Sequence, residues 1–417
     1  MDGPYFNAEM ETMAAEALLA WQGRQVAGAV AHGYAHAPAM RRIMDEAGVQ
    51  PEDVRGVDDL ARIPITRKDE LIEWQRADPP FGGFLAVPPG EVKRFFLSPG
   101  PLFDPEGRRD DYWRWAPALY AAGFRPGDIV QNTAAYHRTP LGFMFDEALR
   151  AIGCAVVPTG PGDTETQLQM IRELGVTGYV GVPSYLMTLI ERAEEKGSAW
   201  TEVTRLRTAF LAAEPFPPSL QEAFRARDIS FGEGYGTAET GNLGYACGHS
   251  PGWHLPYDAV VQVVDLNSGL PLGHGEEGEI VATLFDETYA LIRFGTGDLS
   301  ALDTTPCPCG RTTARLVGWL GRVGQAAKVR GMFVHPRQLA QVLEKAVGVT
   351  RYRAVVTREG HRDQLTVQVE GEEETLNVGA LAAALQQAIK VRPDVVLVPA
   401  GTIAEDAAVL QDDRTWE

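Results

Sequence analysis

The stretch "TGYVGVPSYLMTLIERAEEKG", residues 177–197, carries two different periods. "TGYVGVP" is short, apolar and bounded by turn formers, the pattern of a buried strand. In "SYLMTLIERAEEKG", Leu186, Leu189, Ile190 and Ala193 recur at i, i+3, i+4 and i+7. That is the stripe of an amphipathic helix, with Ser184 as its N-cap. The flanking sequence repeats the alternation. "DIVQNT", "CAVVPTG", "LRTAFLAAE" and "ISFGEGYG" read as strands, and "MFDEALRAIG", "ETQLQMIRELG" and "PPSLQEAFRARD" as helices. Repeated strand–helix units with apolar strands predict an α/β fold, a mainly parallel sheet covered by helices.

Outward from this core the texture changes. Residues 9 to about 75 read as polar-rich helices ending in "IPITRKDELIEW", where Thr66 caps a helix containing Glu70. From 259 to 320 strands alternate with turns, which predicts a small antiparallel subdomain spanning about 245–320. After "GRVGQ" (321–325) the order is β-α-β-β-α-β, a small α+β domain over 322–417 beside a large region over 1–321. No internal repeat or low-complexity tract is present.

The chain has 417 residues, too many for one ordinary core, with 45% hydrophobic and 23% charged residues. Its 38 basic against 56 acidic side chains give a net charge of −18. That disfavours nucleic acid or an anionic membrane as main partner, but not a nucleotide held by backbone N–H groups and single cations. No apolar run is long enough for a membrane span, and the acidic N-terminus lacks a leader's basic region. Four cysteines are too few for a disulfide scaffold, and cytoplasm is the expected location.

Several motifs carry chemistry. "FGEGYGTAETG" (231–241) has G-x-G-x-G, with the wrong spacing and place for a dinucleotide fingerprint. It reads as a tight turn, or as a site where Tyr235 offers a ring to a base, Thr237 a hydroxyl to a phosphate and Glu239 a carboxylate to Mg²⁺. Glycines 232, 234 and 236 would let a ligand approach the backbone. In "RFGTGDLS" (293–300) Asp298 is a turn residue or a carboxylate for both hydroxyls of a ribose. "GRVGQAAKVRGMFVHP" (321–336) sets Arg322, Lys328 and Arg330 in a glycine-bounded linker. Cys247 and His254 in "CGHSPGWH" and Cys307 and Cys309 in "CPCGR" make a Cys₃His zinc set, or isolated buried thiols. His249 is an alternative ligand, and Cys154 reads as a packed core thiol.

Taken together, these segments resemble the phenylacetate–CoA ligases of the acyl-adenylate-forming superfamily. The resemblance runs from about residue 35 to 370, through "EAGVQPEDVRGVDDLARIPITRKDEL", "PPFGGFLAVP", "VGVPSYLM", "AAEPFP", "YGTAETG", "IRFGTGDLSAL" and "GRVGQAAKVRGMFVHPRQL". It implies an enzyme that joins a carboxylic acid to CoA through acyl-AMP, using ATP and Mg²⁺, with a C-terminal lid that rotates between steps. By that resemblance Ala213, Glu214, Pro215, Tyr235 and Gly236 flank adenine, and Asp298 and Arg322 hold the ribose. Thr237, Glu239 and Lys328 serve catalysis, Glu239 as the Mg²⁺ ligand. Tyr136, Phe143 and Gly234 line a pocket for an acid that could be aromatic. Relatives share the Cys–His and C-x-C-G-R pairs, which favours a structural Zn²⁺ at Cys247, His254, Cys307 and Cys309. A homodimer is common among them.

The resemblance breaks at "FFLSPGPLFDPEG" (95–107). The family's loop, roughly Ser-Ser-Gly-Thr-Thr-Gly-Lys-Pro, grips phosphates through its hydroxyls and lysine. Here only Ser98 and Gly100 survive, and Asp104 and Glu106 are expected to repel polyphosphate. The C-terminal "GTIAEDAAVLQDDRTWE" lacks the family's lysine, and Gly324 and Gln325 replace an acidic pair. Three functions stay open: an acid–CoA ligase, a relative without ATP chemistry such as an acyl transferase or amide-forming enzyme, and a non-catalytic binding subunit.

Overall fold

In the computed structural model the described residues are 3–414, except 99, 196–198, 215, 267, 324–326, 331, 335, 360–361, 372–375 and 405–406. The chain divides into two compact units, meeting between Gly321 and Arg322.

In the first unit five parallel strands follow the predicted alternation: Ile129–Asn132, Ala155–Pro158, Gly178–Gly181, Thr208–Leu211 and Ser230–Thr237. Counted along the chain they lie in the order 2-1-3-4-5. Helices Ala116–Ala122 and Leu141–Ile152 bring Leu119, Phe145 and Leu149 into one core with Phe210. Helices Thr164–Glu173, Pro183–Glu194 and Pro218–Arg225 bring Ile171, Leu186, Ile190 and Phe224 into another with Leu211. Leu186, Leu189, Ile190 and Ala193 are all buried, as the helical stripe requires. The helix starts one residue before Ser184, at Pro183 with Val182 as N-cap, because proline fits the first helical position. Ser184 instead donates its hydroxyl to Glu214 Oε2 at 2.6 Å.

The strand Ser230–Thr237 joins two kinds of sheet. Ser230–Glu233 pair in parallel with Thr208–Leu211, and Gly234–Thr237 pair antiparallel with Gly241–Tyr245. From there the ladder runs antiparallel through Trp253–His254, Arg315–Leu316, Phe294–Asp303, Glu277–Leu284 and Ala259–Val264. Antiparallel pairing therefore begins at Gly234 and continues the large sheet. Helices Ala15–His36 and Pro38–Glu46 pack Val26, Val30, Met40 and Met44 against this half. Thr66 is not a helix cap: it is buried in the two-residue strand Thr66–Arg67 beside Phe294–Gly295. The next helix, Lys68–Ala77, starts at Arg67, whose N–H donates to Glu70 Oε2 at 3.0 Å.

The second unit keeps the predicted α+β elements but adds a strand before the first helix, Met332–Val334, which pairs antiparallel with Ala327–Val329. Strands Val349–Glu359 and Arg362–Gly371 pair antiparallel, and Asp394–Val398 joins the latter in parallel. One further strand, Leu410–Asp412, completes the opposite edge. Helices Pro336–Leu343 and Val378–Ile389 close the core with Leu339, Leu381 and Leu385.

Candidate active site

In an open α/β sheet, ligands bind outside the carboxyl ends of the strands, where the strand order reverses. Here that edge carries the segments after Asn132, Gly181, Leu211 and Glu233. Ala213, in the segment after Leu211, holds a left-handed φ of +69°, a conformation that non-glycine residues adopt chiefly at constrained sites. Glu214 beside it is exposed and bonded to Ser184; Pro215 lies outside the described residues.

Tyr235 and Asp298 meet across the antiparallel half. The Tyr235 hydroxyl lies 2.8 Å from Asp298 Oδ2 and 3.2 Å from Thr296 Oγ1, and Trp319 Nε1 donates to Asp298 Oδ1 at 3.1 Å. The Tyr235 ring stacks on Trp253, with centroids 5.7 Å apart and planes 7° from parallel. One face of the ring is thus covered by protein. Nothing in the isolated "SPGWH" and "VGWLG" segments marked Trp253 or Trp319.

The glycines of this strand serve packing. A Cβ on Gly234 would come within 3.0 Å of Phe210 and Trp115, and one on Gly236 within 2.9 Å of Trp115 and 2.1 Å of the Gly241 carbonyl. Gly232 faces Ala122 in the same way, at 2.5 Å. The side of each residue that lacks a side chain is filled by this chain's own atoms, not left open for a ligand.

Glu239 is buried, and Lys68 Nζ stands 2.6 Å from its Oε1. Burial pushes the Glu239 carboxyl up, but the Lys68 ammonium outweighs it and holds the group below its usual range. Thr237 shares its hydroxyl with Thr240 Oγ1 at 2.9 Å and accepts the Thr240 N–H at 3.2 Å, closing the turn that carries Glu239.

The phosphate-loop segment is a hairpin, with strands Arg94–Leu97 and Phe103–Glu106 in register. Ser98 is buried, and both its N–H (2.8 Å) and hydroxyl (3.3 Å) donate to the Leu102 carbonyl. Gly100 lies against Lys68: a Cβ there would be 3.2 Å from Lys68 Cε. The two acids do not face outward. Glu106 is buried between Lys93 (3.2 Å) and Arg94 (2.7 Å), which both also reach Glu147. Asp104 is buried too, and burial with the nearby Glu239 charge raises its carboxyl well above the usual range. The expected outward repulsion of polyphosphate is therefore absent, because pairing along the hairpin turns both side chains inward.

In the expected acyl region Tyr136 donates to Asp146 Oδ2 at 2.8 Å and accepts from Asn132 Nδ2 at 2.7 Å. Its ring meets Phe143 edge-on at 5.2 Å. Arg322 falls in the second unit, as does the strand Ala327–Val329 that contains Lys328, whose side chain is outside the described part.

The four metal candidates converge. Ligand atoms of Cys247, His254, Cys307 and Cys309 all lie within 4.8 Å of one another. Cys247 and Cys307 Sγ are 3.6 Å apart, and Cys309 Sγ is 3.4 Å from His254 Nε2. Two thiolates about 2.3 Å from one tetrahedral zinc stand about 3.8 Å apart, so the set fits that ion. His254 Nδ1 faces the Thr313 carbonyl at 3.1 Å, which directs Nε2 to the cluster. Burial pushes the His254 imidazole down to about 4, so it is neutral, as a ligand must be. His249 is turned away, its Nδ1 against the Cys247 carbonyl at 2.9 Å. The next residues fasten the start of the chain: Arg311 bonds Glu11 (2.8 Å) and the Pro4 carbonyl (3.0 Å), and Tyr5 donates to the Cys309 carbonyl (2.7 Å).

The profile of AMP-binding enzymes matches residues 114–283, and that of the AMP-binding enzyme C-terminal domain matches 331–411. A phenylacetate–coenzyme A ligase of Thermus thermophilus is 34% identical over 386 residues, covering 88% of this chain and 84% of its own. One of Escherichia coli is 30% identical over 417 residues, 94% of either chain. A crystal structure of a 2-hydroxyisobutyryl-CoA ligase in complex with 2-HIB-AMP and CoA superposes with a TM-score of 0.87 at 27% identity, covering 99% of this chain and 93% of that one. Similarity of this extent, over both units, makes the chain an enzyme of the phenylacetate–coenzyme A ligase family.

Proposed function

We propose that this enzyme is an AMP-forming acid–CoA ligase. The acid's carboxylate attacks the α-phosphorus of ATP, forming acyl-AMP as the bond to pyrophosphate breaks. The CoA thiol then attacks the acyl carbon, loses its proton and releases AMP. Tyr235 with the turn at Ala213–Glu214 borders the base, Asp298 holds the ribose, and Thr237 meets the phosphate. Glu239 holds Mg²⁺, which neutralises developing phosphate charge when bound. Tyr136 and Phe143 border the acid, which is an aromatic or a small hydroxylated acid by analogy with the relatives' names. The observation that carries the reading is the buried Glu239, held ionised by Lys68 directly beside the loop at Gly100. The four-ligand cluster holds a structural zinc, which leaves no open coordination position for catalysis. A reducing cytoplasm suits its free thiols, and the resemblance to the family implies a homodimer as the working form.

The test is pyrophosphate release with Mg²⁺-ATP, CoA and a panel of acids that includes phenylacetate and 2-hydroxyisobutyrate. Acid-dependent release supports the ligase. One observation favours a second reading: the loop's single hydroxyl is turned to Leu102, and its lysine is missing. Acyl transfer from supplied acyl-AMP to CoA, with no pyrophosphate released from ATP, would establish that alternative.

A further inference from the structure

Asp104 has no counterpart in the chemistry above. It is 1% exposed, and neither of its oxygens accepts a hydrogen bond of good geometry among the described residues. The hydroxyl beside it, on Ser98, is directed to Leu102. Glu239 is in the same condition. Its neighbour Thr237 is engaged with Thr240, and its short contact is the ammonium of Lys68. The Glu239 charge acts on Asp104, and the Lys68 ammonium acts on both carboxyls. Glu106, two residues along the same strand, shows the usual solution, a buried carboxylate met by two cations. Asp104 and Glu239 instead share one lysine, so the cluster would carry −1 with both carboxyls ionised. Buried charge without donors or full compensation is costly, and sites of this kind are completed by a cation.

We propose that Asp104 and Glu239 together hold a divalent cation in the absence of nucleotide, and that Lys68 is the counter-ion which the cation displaces. Two carboxylates are hard oxygen ligands that neutralise Mg²⁺ or Mn²⁺, with water completing the shell. The displaced ammonium is already placed for a second task. A Cβ on Gly100 would lie 3.2 Å from Lys68 Cε and 3.6 Å from its Nζ, so the end of the lysine borders the loop that lacks its own cation. Once released from Glu239, Lys68 supplies positive charge there for a polyphosphate. Only this last step rests on the ligase reading; cation binding needs no ATP.

The experiment is a titration of the full chain, zinc retained and nucleotide absent, with Mn²⁺ followed by the electron paramagnetic resonance of the free ion. One Mn²⁺ per chain is expected. Asp104→Asn and Glu239→Gln each weaken it at least about tenfold, while Lys68→Met, which removes the competitor, tightens it several-fold. Wild-type affinity in Asp104→Asn, or weaker binding in folded Lys68→Met, overturns the proposal. A thermal shift on adding Mn²⁺ that is larger in Lys68→Met than in wild type gives the same answer without relying on the aspartate variant. ATP is titrated separately. Mn²⁺ binding as described without ATP binding leaves the site standing and removes the ligase reading. ATP binding without nucleotide-free Mn²⁺ binding does the reverse.

Discussion

Lys68 Nζ lies 2.6 Å from Glu239 Oε1, with the glutamate side chain fully enclosed and the lysine 23% exposed. The two are 171 residues apart in sequence, and one opens a helix while the other sits in a turn between two strands. Removing one partner of a buried pair leaves an uncompensated charge, at a cost of roughly 3–5 kcal/mol. Lys68→Ala is therefore expected to lower the urea midpoint of the first unit strongly in metal-free buffer. Lys68→Ala with Glu239→Gln recovers part of the loss. No recovery in the double variant would show that the lysine acts through packing.

Tyr235 and Asp298 make a second testable pair. Tyr235→Phe removes a donor from a buried carboxylate, for about 1–3 kcal/mol of stability. If Asp298 holds the ribose as proposed, Asp298→Ala is expected to weaken AMP binding in calorimetry, because that carboxylate is lost. Unchanged AMP affinity in a folded Asp298→Ala protein would remove Asp298 from the nucleotide site.

Asp111 sets a pH dependence. Its oxygens accept the N–H groups of Trp115 and Ala116, both at 2.9 Å, yet burial pushes its carboxyl up from 3.8 to about 7. The folded form binds the proton more tightly than the unfolded chain. Its contribution to stability is thus complete below about 3.8 and lost as pH rises through about 7. Within that window the slope from this one group approaches about 1.4 kcal/mol per pH unit. Asp111→Asn should flatten urea stability between pH 5 and 7.5 relative to wild type. Parallel curves for the two proteins would refute the assignment.

Zinc analysis of protein purified without chelator is expected to give one equivalent per chain. Its removal should cost the first unit much of its stability, since structural zinc can contribute on the order of 10 kcal/mol. Hydrogen exchange should then show amides 7–13 losing protection, because the residues after Cys309 hold Tyr5 and Glu11 in place. Cys309→Ser should reproduce the effect. Retained protection after complete zinc loss would separate the metal from this tether.

The alternation over residues 127–237 was legible because apolar period and turn chemistry agree there with the final topology. Local signals failed where distant partners decided. Thr66 looks like a cap, but pairing with Phe294 draws it into the sheet. Gly234 and Gly236 look like a ligand cradle, but Trp115 fills their side. Asp104 and Glu106 look like outward repulsion, but strand pairing buries them. The thiol–imidazole cluster was legible in part: the residues left a zinc set or isolated thiols open, and only the family resemblance favoured the set that the structure brings together. Lys68 was not, because its meaning lies in Glu239 and Gly100.

The tie between Glu11 and Arg311 spans 300 residues of chain. On the ribosome Glu11 emerges first and must wait for Arg311, at about 5–20 residues per second, for on the order of 15–60 seconds. Until then the segment around Tyr5 and Glu11 has no native partner at the thiol cluster. Capture of a metal by Cys307 and Cys309 would thus be coupled to the order of synthesis: it would fasten a segment made early to one of the later parts of the first unit. A nascent chain halted before Cys307 would carry a carboxylate prepared for burial and nothing to receive it.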